Sequence, residues 1–262
     1  MKDFTLDMYK VLIEGLKGAG YSFQRLEDFV QCPLERVVII RHDVDIWNRK
    51  ALPFARLENK LGVKASYYFR YLKRGFDSAI IREVASLGHE VGYHYEDLTS
   101  NDGDMEKAIS SFEEKLTKLR EHYPVKTICM HGKSGSPYNN RDMWKEHSYR
   151  DYGVIAEPYL DLDFNKVLYL TDTTQSWNDS SVSLRDKVDS SYDLPFRTTR
   201  DILNNIDKLP GQIMFNIHPD IWASNFGEWV FLKLFVGLHT LYKKYYRNKR
   251  VMRKVTCKSY EL

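Results

Sequence analysis

Apolar and polar residues alternate in blocks along the chain, and the period inside each block predicts its local structure. From Leu6 to Leu16 the apolar positions recur at helical spacing, and Gly18 and Gly20 follow, which predicts a helix with a glycine stop. A polar linker then leads to Val37-Val-Ile-Ile-Arg-His-Asp-Val-Asp. Four β-branched residues running straight into charged ones predict a strand buried on both faces with a polar end. Helices are predicted over Asn48–Leu61, ended by Gly62, over Ile80–Leu87, ended by Gly88, and from about Asp104 to His122. Further strands are predicted at 64–70, 89–94, 127–131, 153–156, 167–170 and 212–218.

Strand and helix in repeated order predict a parallel sheet with crossover helices. No repeat or low-complexity linker divides the chain, so residues 1–262 are expected to form one α/β domain. Its core is expected over about 36–219, with a basic helical extension over about 226–258. The polar residues argue for a closed barrel. Strand after strand ends in an ionisable group: Asp43 and Asp45, then His94, His131 and His218. Barrel enzymes gather their chemistry at the C-terminal ends of the strands. A dinucleotide fold would want a glycine-rich turn after its first strand, and neither that turn nor a P-loop is present.

A chain that is 43% hydrophobic and 29% charged has globular composition. No apolar run approaches the length of a membrane-spanning helix, and acidic residues stand where a secretory segment would be apolar, which predicts a cytoplasmic protein. Cys32, Cys129 and Cys257 lie far apart with no CxxC pair, as expected of reduced thiols rather than a disulfide framework or a thiolate zinc site. The net charge is +3, but Lys243–Lys258 holds eight Lys or Arg and no acid. Without that stretch 31 basic residues face 36 acidic ones, so the basicity belongs to a tail and argues against a nucleic-acid partner.

In Arg41-His-Asp-Val-Asp the period of two puts Arg41, Asp43 and Asp45 on one strand face. Two carboxylates that close repel unless a cation or a shared proton lies between them. Arg41 supplies part of that charge and a divalent metal could supply the rest. The plainer reading is a salt-bridged strand end. The same period turns His42 away from the site, into packing. His89 reads as structural, and His122, His147 and His239 as facing solvent.

The Arg41–Asp45 segment, together with Gly88-His-Glu-Val-Gly-Tyr-His-Tyr-Glu, resembles the polysaccharide deacetylase superfamily (NodB homology, carbohydrate esterase family 4) from about Arg36 to Pro219. The resemblance implies an irregular (β/α) barrel of about seven parallel strands, with helical extensions at both ends. It implies Asp43 as general base, and Asp45 and His94 as ligands of a divalent metal such as zinc. It also implies His218, in Ile217-His218-Pro219, as general acid. The chemistry so implied is hydrolysis of an N-acetyl group on a carbohydrate. Asp172 and Trp177 loosely resemble a fourth motif that lines the substrate site; Arg41 and the strand-end aromatic Tyr138 join them as candidate substrate contacts.

Two departures stand out. Leu98 occupies the place of the family's second metal histidine, and its Arg-Pro pair gives way to Met130-His-Gly-Lys-Ser-Gly-Ser-Pro-Tyr. His131 is the expected replacement ligand, with Glu96 or Asp97 as alternatives. The departures also keep open a catalytically silent glycan-binding relative, and a hydrolase of another C–N bond on a small nitrogenous substrate. Near the C-terminus, Trp229–Leu238 is densely apolar and Tyr242, Tyr245 and Tyr246 follow among basic residues. The plainer reading is a helix docked on the barrel with a solvated basic end. The sharper one is an interfacial helix in peripheral contact with anionic lipid.

Overall fold

A computed structural model describes residues 1–72, 77–133, 135–177, 188–238 and 240–241. The basic stretch Lys243–Lys258, with Cys257, lies outside the described residues, as does His239.

Seven parallel strands make the wall: β1 (Ser22–Gln24), β2 (Val37–Val44), β3 (Ser66–Phe69), β4 (Glu90–Tyr95), β5 (Ile128–Met130), β6 (Val167–Thr171) and β7 (Gln212–Ile217). Their order is β5-β4-β3-β2-β7-β6, with β1 beside β2. Both β1 and β3 lie along β2 on the side away from β7: β1 pairs with residues 37–39 and β3 with residues 41–44. The curled sheet is thus the expected irregular parallel barrel, but its wall is incomplete. Among the described residues β5 and β6 do not pair, and Thr127–Ala156 makes a single parallel bridge at the gap. Two corrections to the sequence reading follow. Residues 153–156 form no strand beyond that bridge, because Gly153 turns the chain at φ +68° and the run before it coils into 3-10 turns. The strand β1 stands where a polar linker was expected; its three residues are too few to show a period.

Period and caps explain the helices. Leu6–Gly18 buries Met8, Tyr9, Leu12, Ile13 and Leu16, one stripe of a 3.6-residue period, and the Thr5 hydroxyl caps it by accepting from the Met8 N–H at 3.2 Å. Met105–Arg120 buries Ala108, Phe112, Leu116 and Leu119 behind an Asp104 cap. The helices Ala51–Lys60 and Ser78–Ser86 follow the same rule.

Strand parity sorts the core. On β2 the side chains of Val38, Ile40 and Val44 join the helix-side core, whereas Val37 and Ile39 join the barrel interior with Tyr68, Cys129, Tyr169 and Met214. Gly92 of β4 faces that interior. A Cβ there would lie 2.3 Å from the Tyr68 ring and 3.0 Å from the Thr127 carbonyl oxygen, so the aromatic filling depends on glycine. Because β2, β4, β5, β6 and β7 all run the same way, the residues at their C-terminal ends meet at one mouth.

Candidate active site

At that mouth Asp43 lies at the end of β2 and Asp45 just past it, His94 lies at the end of β4, His131 follows β5, Asp172 follows β6 and His218 follows β7. Asp45, His94 and His131 each present a donor atom, all within 4.8 Å of one another. Nε2 of His94 is 3.4 Å from Asp45 Oδ1, and Nε2 of His131 is 3.5 Å from the same oxygen.

Second contacts set the state of each ring. Nδ1 of His94 lies 2.9 Å from the Cys129 carbonyl oxygen, which only accepts, so Nδ1 carries a proton and the neutral ring would offer its lone pair from Nε2; burial disfavours the charged ring, but Asp43 and Asp45 outweigh it. Nδ1 of His131 lies 3.1 Å from Glu96 Oε2, and Arg70 grips Oε1 of that carboxylate with Nε at 3.1 Å and Nη2 at 2.6 Å. Burial works to raise the Glu96 carboxyl, but His131 and then Arg70 outweigh it and hold it down at about 2. Asp45 Oδ1 is buried without a hydrogen-bond partner, facing two imidazole nitrogens that lie beyond good hydrogen-bond distance. A lone carboxylate oxygen and two Nε2 atoms, each ring anchored from behind, is the donor set that suits a divalent ion with imidazole preference. The residues fit the metal that the motif resemblance implies.

Asp43 sits beside this triad. Arg41 holds it in a bidentate pair, Nε to Oδ1 at 3.0 Å and Nη2 to Oδ2 at 2.7 Å. Asp43 Oδ2 is 3.7 Å from His94 Nε2 and 3.9 Å from His218 Nε2. Burial pushes the Asp43 carboxyl up; Arg41, His94 and His218 together overcome it and hold the group below the usual carboxylate range. His218 behaves oppositely. Burial disfavours its charge, but Nδ1 lies 2.6 Å from Asp172 Oδ1 and the nearby Asp43 and Asp45 add to that field, so the ring is pushed up to about 10. Asp172 is fixed in turn, its Oδ2 accepting from the His218 backbone N–H at 2.9 Å and from the Trp222 indole N–H at 2.5 Å.

These groups line a cleft of about 440 Å³ whose rim includes Trp47, Arg70, Lys133, Thr174, Ile221 and Phe235. Thr174 sits at φ +65°, a left-handed backbone that costs a β-branched residue on the order of 1–3 kcal/mol. The turn is held by Gln175, whose N–H donates to the Asp172 carbonyl at 3.0 Å and whose side chain donates to the Ile221 carbonyl at 2.6 Å.

The four candidate substrate contacts lie elsewhere than in the cleft lining. Arg41 is fully buried and bonds Asp43, Asn216 and Tyr159, so it positions the carboxylate from behind. Asp172 is buried beneath His218. Trp177 is buried among Phe4, Phe215 and Trp222, its indole donating to Thr199 at 3.1 Å. Tyr138 packs against Gly103. Of the alternative ligands, Asp97 turns away to Tyr93, Ser111 and Lys115, while Glu96 stands behind His131. Leu98 points into the core. His42 packs on the far side of β2 against Glu58, at 2.6 Å, and the Tyr67 ring.

Several site residues went unnoticed in the sequence. Asn216 stands two places before His218, and the period of two could have found it. Arg70 is the charged residue directly after β3, the same signal read on other strands. Asp220 accepts from the Ile46 and Trp47 N–H groups at 2.9 and 3.1 Å and shapes the loop after Asp45. Tyr159 carries no sequence signal.

No protein-family model and no curated protein matches the chain. Among solved structures it is similar to a Streptococcus mutans CE4 esterase, with 13% identity over 89% of this chain and 91% of that one and a TM-score of 0.44. It is also similar to Bacillus subtilis PdaA, a family 4 carbohydrate esterase (10% identity, 87% and 84% covered, TM-score 0.42). A third likeness is to a CE4 family pseudoenzyme from Bacillus anthracis (11% identity, 79% and 66% covered, TM-score 0.41). The chain spans 63–66% of the length of that pseudoenzyme and its mutants, just under two thirds. All are proteins of the family that the two motifs resemble.

Proposed function

We propose that the chain is a metal-dependent hydrolase that removes the acyl group from an N-acylated sugar, most simply as an N-deacetylase. The observation that carries this reading is the opposed pair Asp43 and His218. Two groups 3.9 Å apart face one cleft, one held ionised by Arg41 and the other held protonated by Asp172. Environments that push neighbouring titratable groups in opposite directions assign base and acid roles. At neutral pH Asp43 accepts a proton from the attacking water, and His218 donates one to the departing amine. A divalent ion held by Asp45, His94 and His131 would supply Lewis acidity toward the acyl oxygen and the water. Arg41 keeps Asp43 aimed, and Glu96 and Cys129 keep the two ring nitrogens turned inward. The metal, the substrate class and the roles of these residues are parts of this one proposal.

Asp43→Asn tests it, with turnover measured on N-acetylated sugars and glycans and metal counted by mass spectrometry. Asparagine keeps shape and polarity but cannot take the proton. The variant should retain its metal and ligand affinity and lose at least about 100-fold in kcat. If the wild type deacetylates none of these substrates and Asp43→Asn alters binding alone, the site is that of a glycan-binding relative.

A further inference from the structure

The helix over 226–238, with Thr240 and Leu241 continuing in helical conformation, packs on the body through a narrow stripe only. Leu232 and Val236 are buried, and the Trp229 indole donates to the Asp3 carbonyl at 2.9 Å. Its outward half is apolar. Phe226, Val230, Phe231, Leu234, Phe235, Leu238 and Leu241 are each 40–69% exposed. At 3.6 residues per turn these seven cover about half the circumference, and the only other described residues on that arc are Gly227 and Gly237. A helix facing water carries charge on that half, and a contiguous apolar patch of this kind marks an interaction surface.

We propose that this face docks on an anionic lipid surface and that the cleft beside it serves a substrate carried on a lipid; the second half rests on the hydrolase reading above. Three observations select lipid over a second copy of the chain. Further along the sequence, outside the described residues, Lys243–Lys258 carries eight basic residues and no acid, which matches anionic headgroups and would repel the same stretch of a second copy. In the sequence Tyr242, Tyr245 and Tyr246 precede and interrupt those basic residues, the aromatic-with-basic composition of interfacial segments. The apolar face also reaches the cleft. Phe235 lines it, the Trp47 and Phe235 rings are 5.9 Å apart, and the exposed Ile46 continues the surface to the mouth. No helix among the described residues is long and apolar enough to cross a membrane.

The test is co-sedimentation of the full chain with phosphatidylcholine vesicles containing or lacking 30% phosphatidylglycerol. A Leu234→Glu, Leu238→Glu variant is run beside it, with light scattering for oligomeric state. Both leucines are exposed, so the variant should melt as the wild type does. Wild-type protein should pellet with the anionic vesicles only, and at least tenfold less in 0.5 M NaCl or as the variant. Equal partition with both vesicle types, or unchanged binding by the variant, overturns the docking. So does a wild-type dimer that the variant dissolves without any vesicle binding. For the second half, an N-acetylglucosaminyl lipid in the anionic vesicles is compared with free N-acetylglucosamine oligomers. The variant should lose at least tenfold in turnover on the former and nothing on the latter; equal loss or none on both overturns the lipid-carried substrate. Vesicle binding without turnover of either substrate by wild type overturns the hydrolase reading and the lipid-carried substrate, and leaves the docking in place.

Discussion

Replacing Asp172 with Asn should switch off the acid held by His218. The ring is pushed up to about 10 from an ordinary 6.5, although burial alone would lower it. The net rise corresponds to about 5 kcal/mol favouring the charged ring. Asp172, 2.6 Å from Nδ1, is the largest favourable contributor, ahead of Asp43 and Asp45. Asparagine keeps a similar shape but removes the negative charge, and an opposite charge at this range is worth about 1–3 pH units. We expect the titration to fall by about 2 units or more, to about 8 or below. The measurement is an NMR pH titration of the His218 ring protons in chelator-treated protein. The stability sign follows from the raised value. Protonated His218 stabilises the wild type fully below about 6.5, and the benefit fades as pH rises through about 10. While Asp172 is ionised, the pH-dependent part of the stability difference between wild type and variant should therefore be full below about pH 8 and close by about pH 10. A donor to Asp172, the Trp222 indole among them, meets an amide N–H in the variant and adds a cost that does not vary with pH. A wild-type His218 that titrates below 7, or one unmoved by Asp172→Asn, would refute the argument.

Two further outcomes are expected. Glu96→Gln should weaken zinc binding about 10- to 100-fold by calorimetry, since the carboxylate behind His131 sets the tautomer and basicity of the ring; unchanged affinity would mean that His131 is no ligand. Burial pushes the Glu90 carboxyl from an ordinary 4.5 up to about 7, against its bonds from Ser66, Thr127 and the Glu27 N–H. The stability it confers is full below about 4.5 and lost as pH rises through about 7, so denaturant unfolding should show Glu90→Gln gaining up to about 3 kcal/mol on the wild type between pH 4.5 and 8; a constant difference would contradict it.

Local order was legible in the chain because local order has local causes. A run of β-branched residues makes β2 wherever it lands, and the period of two turned Arg41 and Asp43 inward and His42 outward before any partner was known. The helices followed from 3.6-residue stripes, capping side chains and glycine stops. The habit of ending strands in charged residues put five candidates of the site at one end of a parallel sheet. What the chain alone left open is which of those residues meet. Asp43 and His218 lie 175 positions apart, and their approach depends on β7 pairing with β2 in the register that sets His42 beside Ile217. His131 faces Asp45 because β5 pairs with β4 so that Cys129 lies beside His94 and the next residue but one overhangs the mouth. Arg41 became a prop for Asp43, and Trp177 a core residue, only when the interior closed over them. Periodicity states which face a residue takes; strand order and register, stabilised by burial summed over the whole barrel, decide what stands across from it.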